Sequence, residues 1–204
     1  MDSALASDDK AVYLPHTVRV AAKILVVGHF AVGKTTYVGS LSEIRPLRTE
    51  ETMTQAGALI DDLRGTEDKT TTTVAMDFGR LTLSESLVLY LFGAPGQQRF
   101  TRLWRDMTNG ALGALVLADT RRLEQSFPVM AVLEEHGLPY AVAVNQFEGS
   151  PRFAEPEVRE ALDLLPETPL VTCDARDRIS STHALIALVQ YLQARQTRSS
   201  QEIV

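Results

Sequence analysis

The stretch GHFAVGKTT, residues 28 to 36, constrains this chain more than any other. It fits the pattern Gly-x-x-x-x-Gly-Lys-Ser/Thr and has the flanking context that pattern requires. An apolar run, VRVAAKILVVG, leads in from Val18, and a helical pattern leads out from Lys34 to Ile44. Gly28 and Gly33 let the backbone bend around an anion with no Cβ in the way. The amides from Ala31 through Val32 and Gly33 to Thr36 then point inward, at the positive end of the helix that follows. Lys34 is placed to reach β- and γ-phosphates, and the Thr35 hydroxyl to ligate magnesium. His29 and Phe30 fill variable positions of the loop, where side-chain packing is the expected role.

The rest of the chain alternates strand and helix in the way such a loop needs. Strand patterns cover 18–28, 74–83, 86–93, 111–119, 140–145 and 169–174. Only Ser84 and Glu85 separate the second from the third, which predicts a hairpin. Helical patterns cover 34–44, 97–107, 123–136, 155–164 and 180–195, with Gly137 as a C-terminal cap. The expectation is one α/β domain over residues 17–196, with about six strands in a mostly parallel sheet and helices on both faces. Residues 1–16 read as a partly flexible extension and 197–204 as a flexible tail. From Arg45 to Thr72 runs a connection too long to be an ordinary loop, which points to function or to small structure of its own.

Composition narrows the class. A length of 204 residues suits one domain, and a net charge of −6 argues against a general nucleic-acid binder. The sole cysteine, Cys173, excludes an intrachain disulfide and fits a reducing compartment. Lys23, Arg80, Asp119 and Asn145 interrupt the apolar runs, so none reaches membrane-spanning length. The acidic start MDSALASDDK is the reverse of a signal peptide. A cytoplasmic protein is expected, reaching a membrane only peripherally and through partners, with no direct insertion.

Several further motifs occur in a fixed order. They are TVAMDF (73–78), GAPGQQRF (93–100), LADTRRLEQSF (117–127), VNQFEG (144–149) and CDAR (173–176). Together with the phosphate loop they resemble the Ras-like small GTPases across about 160 residues. Within these the chain is similar to the bacterial MglA-like group, and most of all to the G proteins encoded in actinobacterial conservons. GKTT, RPLRTEETMTQAG, KTTTTVAMDFG and LYLFG-x-PGQ carry that resemblance.

The resemblance implies a GTP/GDP switch that depends on magnesium and hydrolyses GTP slowly without a partner. Thr73 would bind magnesium and sense the γ-phosphate, the Gly96 amide would meet that phosphate, and Gln97 would position the attacking water. Asn145, Gln146 and Glu148, with Asp174, Ala175 and Arg176, would form the base site. Thr35 and Thr73 would be the metal ligands. The γ-phosphate would order Thr70 to Thr73 and Gly93 to Arg99, and hydrolysis would release them. A roadblock-type dimer and a membrane sensor-kinase-like protein would be the partners.

Three departures from the family pattern stand out. Gly93 replaces an Asp that usually acts on magnesium through a water, which predicts a weakened metal site. Magnesium keeps several waters in any case. Asp119 offers some negative charge, though a role at the end of its strand is the plainer reading. Gln146 replaces a base-stacking lysine, and Glu148 replaces an Asp one methylene shorter, so the residues alone leave ATP open beside GTP. Arg45, Arg48 and Arg64 are candidates for an arginine finger, or else solvated charges. Phe100, Leu103, Trp104 and Met107 share one helical face, open to two readings: core packing, or an effector face. The alternatives in other classes are a nucleotide-loaded scaffold without hydrolysis and a small-metabolite kinase, for which no lid segment is apparent.

Overall fold

The computed structural model of the chain describes residues 14, 16–53, 72–97 and 100–201. Seven strands form one sheet: β1 (Val20–Val27), β2 (Leu47–Met53), β3 (Thr72–Ser84), β4 (Leu87–Gly93), β5 (Ala111–Ala118), β6 (Tyr140–Asn145) and β7 (Leu170–Cys173). Their order across the sheet is β2-β3-β4-β1-β5-β6-β7. From β4 to β7 all pairs are parallel, and β2–β3 and β3–β4 are antiparallel. The expected α/β domain is therefore present, with one strand added at the edge. That strand, β2, lies inside the long connection that begins at Arg45. Its sequence LRTEETM has no apolar face to announce it, and backbone pairing with β3 places it in the sheet.

Five helices cover the sheet: α1 (Lys34–Leu41), α2 (Thr101–Thr108), α3 (Phe127–Glu135), α4 (Glu155–Ala161) and α5 (Arg178–Gln201). Alternate residues of the central strands feed two cores. Leu25 and Val27 pack with Trp104, Val129, Leu133 and Val158, beneath α2, α3 and α4. Ile24 and Val26 pack with Tyr37, Val38, Leu41 and Leu188, beneath α1 and α5. Both faces of β1, β5 and β6 are thus buried, which is why these strands read as continuous apolar runs. Tyr37 is fully buried, and its hydroxyl donates to the Ser181 carbonyl at 2.8 Å, locking α1 to α5.

The helix boundaries differ from the sequence patterns at several ends, with α1 stopping at Leu41 rather than at residue 44 and α4 at Ala161 rather than at residue 164. α2 starts at Thr101 rather than Gln97, and Gly96 ahead of it packs against the phosphate loop. A 3-10 turn, Leu123–Ser126, precedes α3. α5 continues to Gln201, past the residue where its apolar pattern ends and into the expected tail. Gly137 adopts φ 62° just after α3, as a C-terminal cap requires. Among the described residues no helix is long and apolar enough to cross a membrane.

Candidate functional site

Parallel strands β1, β4, β5, β6 and β7 bring their motifs to one edge of the sheet, at their C-terminal ends, where open α/β sheets bind ligands, and antiparallel β3 begins there with TVAMDF. The phosphate loop leaves β1 there. Gly28 has φ 138°, and a Cβ on it would lie 2.4 Å from the Leu117 carbonyl oxygen of β5. Gly33 has φ 103° and caps α1. A Cβ on Gly33 would lie 2.5 Å from Asn145 Nδ2, so glycine is required there on two counts. Ala31 takes φ 65°, and Val32 is fully buried as the loop's hydrophobic peg. The Lys34 ammonium donates to the Gly28 carbonyl at 2.9 Å and the His29 carbonyl at 2.7 Å, spanning the mouth of the loop. Burial pushes the Lys34 pKa down to about 8, while the nearby Asp77 charge pulls the other way. Thr35 and Thr36 are exposed at the rim.

His29 is buried and its Nδ1 donates to the Phe30 carbonyl at 2.6 Å, so packing is its role, as expected. Phe30 instead projects its ring, 66% exposed, from the loop. Gly96 presses on this same turn. A Cβ there would lie 2.4 Å from the Phe30 nitrogen, so the segment carrying Gly96 rests directly on the phosphate loop.

Beside position 93 stands a carboxylate that sequence spacing did not reveal. Asp77 of β3 stands opposite Gly93 of β4 in the antiparallel register. Its Oδ2 accepts the Thr35 hydroxyl hydrogen at 2.5 Å. A Cβ on Gly93 would lie 3.0 Å from Asp77 Cβ and 3.2 Å from Oδ2. The carboxylate therefore comes from the neighbouring strand, and glycine at 93 makes room for it. Asp77 lies inside the quoted TVAMDF motif. An acidic residue in a buried strand was the available signal, and its 8% exposure bears that signal out. Asp119, the other acidic candidate, is engaged elsewhere, bonded by Arg121 at 2.7 Å.

A magnesium ion fits the chemistry of this corner. The donors are hard oxygens, the Thr35 hydroxyl and the Asp77 carboxylate, on a phosphate cradle. Thr73 lies in β3 opposite Thr52, so its backbone is part of the sheet edge in this structure. The side chains of Arg48 and Thr73, all of Arg64, and Gln98 and Arg99 lie outside the described residues. Arg45 is exposed and Gln97 half-buried.

On the other side of the phosphate loop lie the residues expected to form the base site. Asn145 ends β6, 4% exposed. Its Nδ2 donates to the Val32 carbonyl at 2.8 Å, and its Oδ1 accepts the Ala175 amide at 3.0 Å. The Gln146 amide donates to the Cys173 carbonyl at 2.7 Å. Arg176 forks onto Asp174 at 2.9 and 2.8 Å, and that pair holds the Asp174 carboxyl down at about 2. Glu148 is exposed, and its charge reaches Arg176. The structure thus brings together Gly28, Ala31, Val32, Gly33, Lys34, Thr35, Asn145 and Ala175 by direct contacts. The 174–176 turn follows from them.

The predicted apolar face of α2 divides. Trp104 and Met107 are 4% and 7% exposed and belong to the core, with Trp104 Nε1 donating to the Pro95 carbonyl at 2.6 Å. Those two are therefore packing residues here and not part of an open effector face. Phe100 and Leu103 are half-buried.

Comparisons with known proteins bear on the family and the fold. A family model described as "Conserved hypothetical ATP binding protein" matches residues 26–195. No curated protein matches. Among solved structures, the G domain of the T. maritima FeoB iron transporter superposes with a TM-score of 0.59 at 17% identity, covering 84% of this chain and 99% of that one. The FeoB G domain from Methanococcus jannaschii gives 0.54 at 13% identity, covering 85% and 98%. Elongation factor SelB from Methanococcus maripaludis, solved with the GTP analogue GppNHp, gives 0.53 at 16% identity, covering 85% of this chain and 34% of that one. The fold is that of a P-loop GTPase G domain.

Proposed function

We propose that this chain, which belongs to the family described as conserved hypothetical ATP binding proteins, is a guanine-nucleotide switch of the MglA-like kind. The observation that carries the reading is Asn145. One buried amide side chain joins the phosphate loop at Val32 to the turn at Ala175, so the cradle for phosphates and the reader of the base form one unit. That coupling suits a ligand with both a phosphate chain and a base.

The chain's own residues divide the work. The loop amides and the Lys34 ammonium bind the phosphates, which replace the carbonyls that Lys34 now holds. Thr35 and Asp77 would hold magnesium, which when bound neutralises charge on the β- and γ-phosphates. Gln97 orients a water against the γ-phosphorus. The new P–O bond forms as the bond to the β–γ bridging oxygen breaks, giving GDP and inorganic phosphate. Glu148 accepts from the guanine ring, with Arg176 beside it. Arg45 and Phe30 stand at the exposed rim, where a partner's groups enter. The partners in this proposal are a roadblock-type dimer and a membrane sensor-kinase-like protein, as the motif resemblance implies.

Calorimetric titration of nucleotide-free protein with GDP and ADP, each with and without magnesium, tests the reading. Tight, magnesium-strengthened GDP binding with weaker ADP binding is expected. Gln97→Leu should then lower GTP turnover and leave GDP affinity unchanged. Preference for ADP overturns the guanine assignment, and failure to bind either nucleotide overturns the whole reading.

A further inference from the structure

A second connection joins the phosphate loop to the base loop, through residues of LADTRRLEQSF to which the resemblance assigns no role at the nucleotide. It starts at the C-terminal end of β5. Asp119 there is 1% exposed, and Arg121 grips it with Nε at 2.9 Å from Oδ1 and a terminal nitrogen at 2.7 Å from Oδ2. The Arg121 amide also donates to Oδ1 at 3.0 Å, which fixes the turn. Burial pushes the Asp119 carboxyl up, but the bonds and charge of Arg121 outweigh it and leave it below its usual range.

From that fixed position the Arg121 guanidinium lies 4.2 Å from the centre of the Phe147 ring. Phe147 sits between Gln146 and Glu148, in the middle of the base loop. Beside this contact the Thr120 hydroxyl donates to the Pro151 carbonyl at 2.7 Å. The base loop is closed on itself by the Ser150 amide and hydroxyl, at 3.1 and 2.8 Å from the Phe147 carbonyl. Thus 119–121 braces the loop at two points. On its other side the same strand end meets the phosphate loop, where Gly28 packs on the Leu117 carbonyl and the Asp119 charge acts on the buried His29.

We propose that Arg121 is a positioning residue for base recognition. Pinned by Asp119, its guanidinium plane supports the Phe147 ring and so fixes where Glu148 stands relative to the phosphate loop. This rests on the reading of 145–148 as the base loop. It supplies what the uncharged Gln146 does not, a cation whose position is referred to the phosphate cradle. Arginine suits the role because its planar group can fork onto a carboxylate and stack on a ring at once.

The test is equilibrium titration of the full chain with GDP, ADP and inorganic pyrophosphate, the last reporting on phosphate contacts alone. The variants are Arg121→Ala, Arg121→Lys, Phe147→Leu and the double Arg121→Ala/Phe147→Leu. Each single change is expected to cut the GDP-over-ADP preference about three- to fivefold while moving pyrophosphate binding by less than about twofold. The double variant should lose no more than either single one, since both remove the same contact. Arg121→Lys keeps the charge against Asp119 but not the plane, and should lose preference like Arg121→Ala. Phe147→Leu leaves the ion pair whole, so it carries the test if Arg121→Ala does not fold. Unchanged preference, equal loss on all three ligands, or additive losses in the double variant each overturn the proposal. A wild-type chain without any base preference is a different failure, and removes the base-loop reading together with this one.

Discussion

A hydrogen atom on Gly93 faces the Asp77 carboxylate, and that exchange of side chains between two strands shapes the corner proposed to hold magnesium. Putting Asp back at position 93 should therefore harm the site. Its Cβ would sit 3.0 Å from Asp77 Cβ, and the two carboxylates would crowd each other. Gly93→Asp is expected to cost about 1–3 kcal/mol in urea unfolding. Asp77→Asn should weaken the magnesium-dependent part of nucleotide affinity by about tenfold, the usual scale for a group that orients a metal ligand. Combining Gly93→Asp with Asp77→Gly should recover part of both losses. If Asp77→Asn leaves the magnesium response intact, Thr35 needs no orienting carboxylate. A motif read along the chain could not reveal this pair, because the two positions meet through antiparallel register rather than through spacing.

The elements differ in how plainly their sequences announce them. β1, β5 and β6 are apolar on both faces and were legible, as were the hairpin of β3 and β4 and the glycine-rich turn into α1. β2 was not legible, since LRTEETM carries no period-2 apolar pattern and owes its place to backbone pairing with β3. The α2 stripe was legible as a face, but a 3.6-residue period cannot say what lies opposite it. In the structure the Trp104 indole fills the core and its N–H is satisfied by Pro95, which fastens α2 to the segment carrying Gly96. Trp104→Ala should cost about 3–5 kcal/mol in chemical denaturation. A loss below about 1 kcal/mol would mean that α2 is not anchored through this ring.

Across the whole molecule, folding and ligand binding share one proton through Lys34. Its pKa in the free fold is lowered to about 8 from 10.5 by burial. Between those values the unfolded chain holds more protons, so stability of the nucleotide-free protein should rise with pH from about 8 to 10.5. Nucleotide binding should have the opposite dependence. Phosphates favour the charged ammonium, so above about pH 8 binding takes up a proton and affinity falls as pH rises. Calorimetry at pH 9 in buffers of different ionisation enthalpy should detect uptake of up to about one proton. No uptake would mean that Lys34 is already fully charged in the free protein. The alternation of strands and helices made the domain and its phosphate loop readable from sequence. The loop expected to read the base was readable in outline only, because Gln146 and Glu148 depart from the residue types the resemblance implies and the Arg121–Phe147 contact joins positions far apart in sequence.

The Asn145 side chain has a kinetic consequence. Since one amide is hydrogen-bonded both to the phosphate loop and to the Ala175 turn, neither can loosen while the other stays closed. Under the proposed function, release of a bound nucleotide is then expected as one concerted event, with residence time sensitive to the tip of β6. Asn145→Ala should shorten that residence time, as measured by displacement of a fluorescent GDP analogue.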